Sequence, residues 1–262
     1  MDRSAILKAF ESNLWDRTSY LANARKDGEV QDSPDLLLVD SGLPCASFNT
    51  IGKSSLHPRF GMDRVESAIK HFQSKSAPFN WILGPLSGHG SMEPALKSFG
   101  LSCPEEEWVM AMDLDKVVNI PGNLPKELEI KKVSTTAALE DFANVLAVAT
   151  KPPDENLKTI YMDAKEAAIS PSRPLRLYVG YLDGKPVAGQ EAFSAHGILS
   201  FYSMAALSST QGKGYSAALI IAALREAKKA NIRTASIQTV EAGRAIYERF
   251  GFKPVGRIAS YG

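Results

Sequence analysis

Three apolar runs, LRLYVGYL (175–182), KPVAGQEAF (185–193) and ILSFYSMAAL (198–207), follow one another in close succession, with Asp183-Gly184 and His196-Gly197 as the turns between them. Two-residue connections of this kind suit hairpin turns that need positive φ, so the three runs are expected to form an antiparallel meander. A sheet of this apolarity has to be covered, and helical periodicity supplies the cover on both sides in sequence. Upstream, LEIKKV (128–133) reads as a strand. A helix follows with the stripe Leu139, Phe142, Ala143, Leu146 and Val148 or Ala149. Pro152-Pro153-Asp154 opens a second helix carrying Leu157, Ile160, Tyr161 and Ala164. Downstream come a helix (Tyr215–Ala230), a strand (Thr234–Val240), a helix (Gly243–Phe250) and a final strand. The expected fold class is mixed α/β.

The first half is less regular. Residues 2–26 read as an amphipathic helix with Ile6, Phe10, Leu14 and Leu21 at near-helical spacing. LLLVD (36–40) and PCASFNTI (44–51) read as short strands around the turn Ser41-Gly42. A helix over Asp63–Gln73 places Val65, Ala68, Ile69 and Phe72 on one face. FNWILG (79–84) reads as a buried strand, Pro94–Phe99 as a short helix closed by Gly100, and EEWVMAMDL (106–114) as a last strand. NIPGNLPK (119–126) concentrates Pro, Gly and Asn and is the linker candidate, dividing the chain into domains 1–120 and 126–262. Lys97-Ser98-Phe99-Gly100-Leu101 faintly echoes Glu248-Arg249-Phe250-Gly251-Phe252, each between two strands, which raises an internal repeat.

At 262 residues, 44% hydrophobic and 23% charged, the chain has the make-up of a globular protein. A net charge of +1 supplies no global attraction to nucleic acid or an anionic membrane. Cys45 and Cys103 match neither a disulfide framework nor a metal spacing, and both are expected to be small buried residues in a reducing compartment. His57, His71 and His89 are scattered, and no metal site is expected. Charge interrupts the N-terminus every few residues, and no run approaches the length of a membrane span, so a cytoplasmic enzyme is expected. Glu105-Glu106-Glu107 reads as a solvated acidic face, and His196 as a solvated turn residue. The oligomeric state is not readable.

Between the meander and the next helix lies Ser208-Ser209-Thr210-Gln211-Gly212-Lys213-Gly214-Tyr215-Ser216. Two glycines one residue apart let backbone N–H groups turn towards a ligand. The helix that starts there adds unpaired N–H groups and the positive end of its dipole, a site for phosphate or pyrophosphate. The stretch matches neither a P-loop nor a dinucleotide fingerprint.

Gln211, Gly214 and Ser216 occupy the three marked places of the [Q/R]-x-x-G-x-[G/A] loop, with Ser where Gly or Ala is usual, and Tyr247–Phe252 (YERFGF) stands where a helix meets the last strand. In both respects the chain resembles the GNAT superfamily of N-acetyltransferases from about Leu128 to its end. The resemblance implies a GNAT fold in the C-terminal half, with the N-terminal half a possible worn copy that lacks the loop, does not bind CoA and helps enclose the acceptor. Ser54–Gly61 holds the corresponding place there without a Gly-x-Gly pair.

The resemblance also implies acetyl-CoA as co-substrate. The backbone of Gly212, Lys213, Gly214, Tyr215, Ser216 and Ala217, with Gln211, would cradle the pyrophosphate. N–H groups around Ala206 and Leu207 would polarise the thioester carbonyl. Tyr247 would protonate the leaving thiolate, with packing of its helix onto the sheet as its other possible role. Glu191, the acidic residue in the middle of the meander, is the candidate base if an apolar face raises its pKa. The alternative is a carboxylate exposed or paired with Lys or Arg. The acceptor implied is a primary amine of a small molecule. A protein or peptide N-acetyltransferase and a non-catalytic acyl-CoA-binding sensory module are the alternatives.

Overall fold

The computed structural model of the protein describes residues 1–55, 61–87, 89–103, 105–116 and 125–262. Most of the linker candidate Asn119–Lys126 and residues 56–60 of the Ser54–Gly61 segment, His57 included, lie outside the described residues.

The meander forms as expected: β7 (Leu175–Leu182), β8 (Lys185–Ala195) and β9 (Ile198–Ala206) pair antiparallel. Both turn residues of each hairpin have positive φ: 49° and 74° at Asp183-Gly184, and 53° and 77° at His196-Gly197. β6 (Leu128–Lys132) flanks β7. α4 (Thr136–Ala149), capped by the Thr135 hydroxyl, and α5 (Asn156–Asp163) cover one face, with the short α6 (Lys165–Ala168) beside them. α7 (Tyr215–Lys229) covers the other face. β10 (Thr234–Thr239), α8 (Glu241–Arg249) and β11 (Lys253–Tyr261) complete the second half. The stripe of α4 departs from expectation at its end. Val148 is 58% exposed, whereas Val145 and Ala147 are buried, because α4 packs on α5 as well as on the sheet.

The first half comprises α1 (Arg3–Ala24), β1 (Glu29–Asp32), β2 (Leu37–Asp40), β3 (Thr50–Gly52), α2 (Met62–Ser74), β4 (Asn80–Leu83), α3 (His89–Ser98) and β5 (Glu107–Asp113). Two expectations change here and one strand is added. The run 44–51 is mostly a 3₁₀ turn, Ala46–Phe48, and the strand is Thr50–Gly52. β1 carries no apolar pattern because it is an exposed strand held by pairing with β2. α3 begins ahead of Pro94, which stands inside the helix.

The eleven strands of the described residues form one sheet in the order β1-β2-β3-β4-β11-β5-β10-β9-β8-β7-β6. Its centre is an exchange. β5, from the first half, lies antiparallel between β10 and β11 of the second. The end of β11 returns to the first half and pairs antiparallel with β4 through Ala259, Ser260 and Tyr261. The halves mirror each other around the β5–β11 pair: β3 runs parallel to β4 and β9 parallel to β10, with α2 and α7 between the respective partners. The sequence echo falls on equivalent points. Gly100 after α3 has φ 82° and Gly251 after α8 has φ 95°. Leu101 N–H bonds Leu96 O and Phe252 N–H bonds Tyr247 O, both at 3.1 Å, the same helix-closing motif twice.

α1 crosses from the first half onto the meander. Its Phe10, Leu14 and Leu21 are buried, Ile6 is half-buried, and Asn13 donates to Phe193 O (3.1 Å) and Ala195 O (3.3 Å). Cys45 and Phe48 enter the core formed by α4, α5 and β7. Because β5 is an interior strand between β10 and β11, residues 126–262 expressed alone would expose two unpaired strand edges. That fragment is expected to show no cooperative thermal transition by circular dichroism, and co-expression with residues 1–125 should restore it.

Candidate functional site

β9 and β10 pair over only three positions, Thr234–Ile198 to Ser236–Ser200, and the buried Ser200 and Ser236 hydroxyls bond at 2.7 Å on the last of them. Beyond this point β10 stays with β5 and β9 stays with β8, so the sheet splays open. β9 carries a bulge in the open stretch. Gly189 faces Ala205 but Glu191 faces Tyr202, leaving Ser203 and Met204 opposite Gln190 alone, with Ser203 at φ 37°. Leu207 N–H donates to Val187 O at 3.0 Å, so it is not the free donor expected there. Alternation along an antiparallel ladder then turns Ala206 N–H to the open edge.

The loop after β9 makes a 3₁₀ turn at Ser208–Thr210, with the Thr210 hydroxyl donating to Leu207 O at 2.9 Å. Gly212 (φ 77°) and Gly214 (φ 80°) then bring the chain into α7. Gly214 is the N-cap in the left-handed region, where a side chain costs roughly 1–2 kcal/mol. The first bond of the helix is Ala218 N–H to Gly214 O, so the N–H groups of Gly214, Tyr215, Ser216 and Ala217 have no intrahelical acceptor. Lys213 N–H turns back to Thr210 O at 3.4 Å and leaves that set. Gln211 to Gly214 are exposed.

These groups open into a cleft of about 670 Å³ lined by Met204, Ala206, Thr210, Gln211, Gly212, Gly214, Tyr215, Ser216, Ala217, Ile220, Ile246, Tyr247, Arg249 and Phe250. Tyr247 is 8% exposed and meets Phe252 edge-on. Among the described residues its hydroxyl has no hydrogen-bond partner, and burial raises its pKa above the ordinary value. The phenol therefore remains a proton donor throughout the neutral range.

A second cavity of about 270 Å³ lies on the other side of the end of β9. Met204, Ala206 and Gln211 line both cavities, so they meet across that strand. The second is also lined by Leu146, Ala149 and Thr150 at the end of α4, Leu157 of α5, Ser203, Ala205, and Ser47 and Phe48 from the first half. Behind it, burial and then the Asp154 carboxylate push the Cys45 thiol up to about 12. Cys103, expected to be buried as well, is half-buried.

Glu191 is 1% exposed and does not have the raised pKa expected of a base. Burial alone would raise it, but the Arg17 charge and hydrogen bonds outweigh burial and hold the carboxyl below the usual range. Arg17 Nε donates to Oε1 at 2.6 Å, Arg17 Nη2 donates to Oε2 at 3.0 Å, and the Tyr161 hydroxyl donates to Oε2. The alternative weighed for Glu191, pairing with an arginine, is what the fold produces. Arg17 could have been found in the sequence. It fills the slot between Leu14 and Leu21 in the apolar stripe of α1, where a charge has to meet a buried partner. Phe48, Ser47 and Tyr161 carry no comparable signal, because tertiary packing alone brings them here.

Other features lie apart from this site. His196 is bonded to Asp16 at 2.8 Å, more tethered than a solvated turn residue. In the acidic run, Glu105 and Glu106 are exposed, but Glu107 is half-buried with its pKa raised by burial. Glu29, Asp40 and His71 come together, but the Lys75 ammonium lies among them, 2.6 Å from Asp40, 3.2 Å from His71 and 3.8 Å from Glu29. A groove of about 740 Å³ beside α1 is larger than either cavity above. Its Asp16–His196 and Asp32–Lys53 side chains are already paired with each other. Size alone therefore does not locate the chemistry. No helix among the described residues is long and apolar enough to cross a membrane.

Residues 173–254 match the model of the acetyltransferase (GNAT) domain family. No curated protein matches the chain. Among solved structures, the chain is similar to a GCN5-related N-acetyltransferase from Kribbella flavida, at 16% identity and a TM-score of 0.70, over 98% of this chain and 93% of that one. A functionally unknown conserved protein from Staphylococcus epidermidis aligns at 13% identity and 0.65, over 90% and 93%. A tandem GNAT protein from the clavulanic acid biosynthesis pathway aligns at 11% and 0.56, over 95% and 93%. Residues 173–254 are thus similar to the GNAT acetyltransferase domain, and along nearly its whole length the chain shares its fold with GNAT proteins, a tandem one among them.

Breaking a buried ion pair by removing one partner costs about 3–5 kcal/mol, so Arg17→Ala should lower the free energy of urea unfolding by about that amount at pH 7. An unchanged urea midpoint would show that the pair carries no stability. Because the folded pKa of Glu191 is depressed, its contribution is complete above the unfolded value of about 4.3 and is lost as pH falls through the lower folded value.

Proposed function

We propose that the protein is an N-acetyltransferase that moves the acetyl group of acetyl-CoA to a primary amine, with a small molecule as acceptor. The observation that carries this reading is the pair of cavities meeting at Met204, Ala206 and Gln211. One holds the free N–H groups of Gly214–Ala217 and the Tyr247 phenol, and the other is enclosed by both halves of the chain. In this reading the α7 terminus and the Gln211–Ala217 loop hold the CoA pyrophosphate, each charge-assisted hydrogen bond contributing about 1.5–3 kcal/mol. Ala206 N–H is aimed at the thioester oxygen before charge develops there.

The neutral amine nitrogen attacks the thioester carbon, an N–C bond forms, and negative charge collects on the oxygen. The C–S bond then breaks and the thiolate takes the Tyr247 proton, a step worth about 10²–10⁴ in rate. Among the described residues lining the acceptor cavity there is no titratable side chain. With Glu191 held by Arg17, the proton lost by the amine leaves through water. At about 270 Å³ the cavity falls just below the range of roughly 300–1,000 Å³ for drug-sized ligands, a size that suits a small amine. The N-terminal half, in this reading, is a worn copy that closes the acceptor side through Ser47 and Phe48 and binds no CoA. The lack of a titratable group there also favours a second reading, an acyl-CoA-binding module without turnover.

Acetyl-CoA is expected to raise the melting temperature of the intact protein, and Gly214→Asp to abolish that rise by setting a carboxylate against the pyrophosphate. A wild type unmoved by millimolar acetyl-CoA would sink both readings. Thiol release measured over an amine panel separates them, since turnover with any amine removes the module without catalysis. Tyr247→Phe should lower kcat by about 10²-fold or more while keeping the thermal shift. With no side-chain base, kcat/KM should climb with pH towards the pKa of the amine, about 10.4 for an alkylamine, and a plateau near pH 7 would contradict this route.

A further inference from the structure

We propose that Arg17, carried by the first half of the chain, is a positioning residue for acyl transfer. Through Ser203 it clamps the β9 bulge that aims the backbone at the junction of the two cavities. The chemistry of this proposal rests on the acetyltransferase reading above, while the clamp itself rests on geometry alone.

Ser203 occupies φ 37°, a region that a side chain with Cβ rarely adopts and that persists only where its surroundings enforce it. Arg17 Nη2 donates to Ser203 Oγ at 2.9 Å while the same guanidinium grips both oxygens of Glu191. The guanidinium has little freedom to turn away. It lies over the rings of Phe48 and Tyr202, 5.0 Å and 5.1 Å from their centroids, and the Tyr161 hydroxyl donates to Glu191 Oε2 beside it.

A second group braces the same bulge. Gln190, fully buried, donates through Nε2 to Tyr202 O (2.8 Å) and Glu191 O (2.7 Å), supplying bonds where the bulge breaks the ladder. Its Oε1 has no partner among the described residues, so this amide is placed for its donor end. Ser203 and Met204, the two bulged residues, both line the acceptor cavity, and Met204 also lines the cleft. Any relaxation of the bulge would therefore re-aim the edge from Ser203 to Ala206. α1 thus does more than cover the meander, because the Arg17 guanidinium ties the first half to the geometry of the open strand edge.

Arg17→Lys keeps a cation beside Glu191 but lacks the fork needed to reach Ser203 as well. It should lower kcat by about tenfold to a hundredfold, at or below the loss from removing one carbonyl-polarising donor, with KM for acetyl-CoA and the acetyl-CoA thermal shift kept within about twofold. Ser203→Gly, which tolerates the φ but offers no oxygen, should give a similar loss. The double variant should lose less than the product of the two single losses, because both remove the Arg17–Ser203 contact. Amide exchange over residues 201–207 should quicken about tenfold in Arg17→Lys, while exchange in α7 stays unchanged.

Wild-type kcat in Arg17→Lys, or losses that multiply in the double variant, would overturn the proposal. So would faster exchange across the whole chain with KM raised alongside, since that is the signature of a purely structural pair. If the wild type releases no thiol with any amine, the acetyltransferase reading fails. The exchange measurement then decides the clamp by itself, and unaltered exchange over 201–207 overturns it.

Discussion

A β-strand in the middle of a sheet needs two neighbours, and in this protein the strands at the centre find theirs in the other half of the chain. β5 closes the first half in sequence yet is hydrogen-bonded on both edges to the second, while the last three residues of β11 return to β4. Neither half can satisfy its own central backbone groups, and in a dry interior such unpaired groups are costly. That constraint joins the halves more firmly than a side-by-side interface would. α1 crosses between the halves as well, and with it come Arg17 and, further along the chain, Phe48.

The site follows from a second, local consequence of strand pairing. β9 and β10 are parallel partners for only three positions, after which each is claimed by its other neighbour. The resulting gap exposes backbone on one edge of β9, and the N-terminus of α7 and Tyr247 of α8 face the same opening. Exposed N–H groups on an ordered strand and helix are aimed before any ligand arrives, which is the condition for electrostatic stabilisation without reorganisation. The bulge at Ser203 is the least regular part of this edge, and it is also where the buried Glu191 carboxylate meets Arg17.

That buried charge shows how two local oddities can be partners. An arginine inside the apolar stripe of α1 and a glutamate inside the meander each look unfavourable when taken alone. Together they form a bidentate pair whose mutual attraction outweighs burial for the carboxylate. Reading Glu191 by itself leads towards a base with a raised pKa. Reading it beside Arg17 leads to a fixed anion that orients its neighbours.

Local chemistry sufficed for much of the second half. Asp-Gly and His-Gly turns, alternating strands, and a Gly-x-Gly at a helix start are written in adjacent residues, and the meander, α7 and the loop from Gln211 to Ala217 could be read from them. Tyr247 was reachable for the same reason, through its neighbours in YERFGF. The polar strand β1, the 3₁₀ turn at Ala46–Phe48 and the burial of Val145 rather than Val148 were not legible, because partners distant in sequence decide each of them. Leu207 N–H was lost as a free donor to Val187 O, twenty residues earlier, and no local pattern announces such a bond. The sequence by itself determined most strands and helices of the second half and the Gly-x-Gly turn ahead of α7, since these depend on near neighbours. Only the tertiary structure decided that β5 and β11 change places, that Arg17 meets Glu191, and that Phe48 closes the second cavity. Hydrogen-bond pairing and charge burial across long separations are settled by what packs against what.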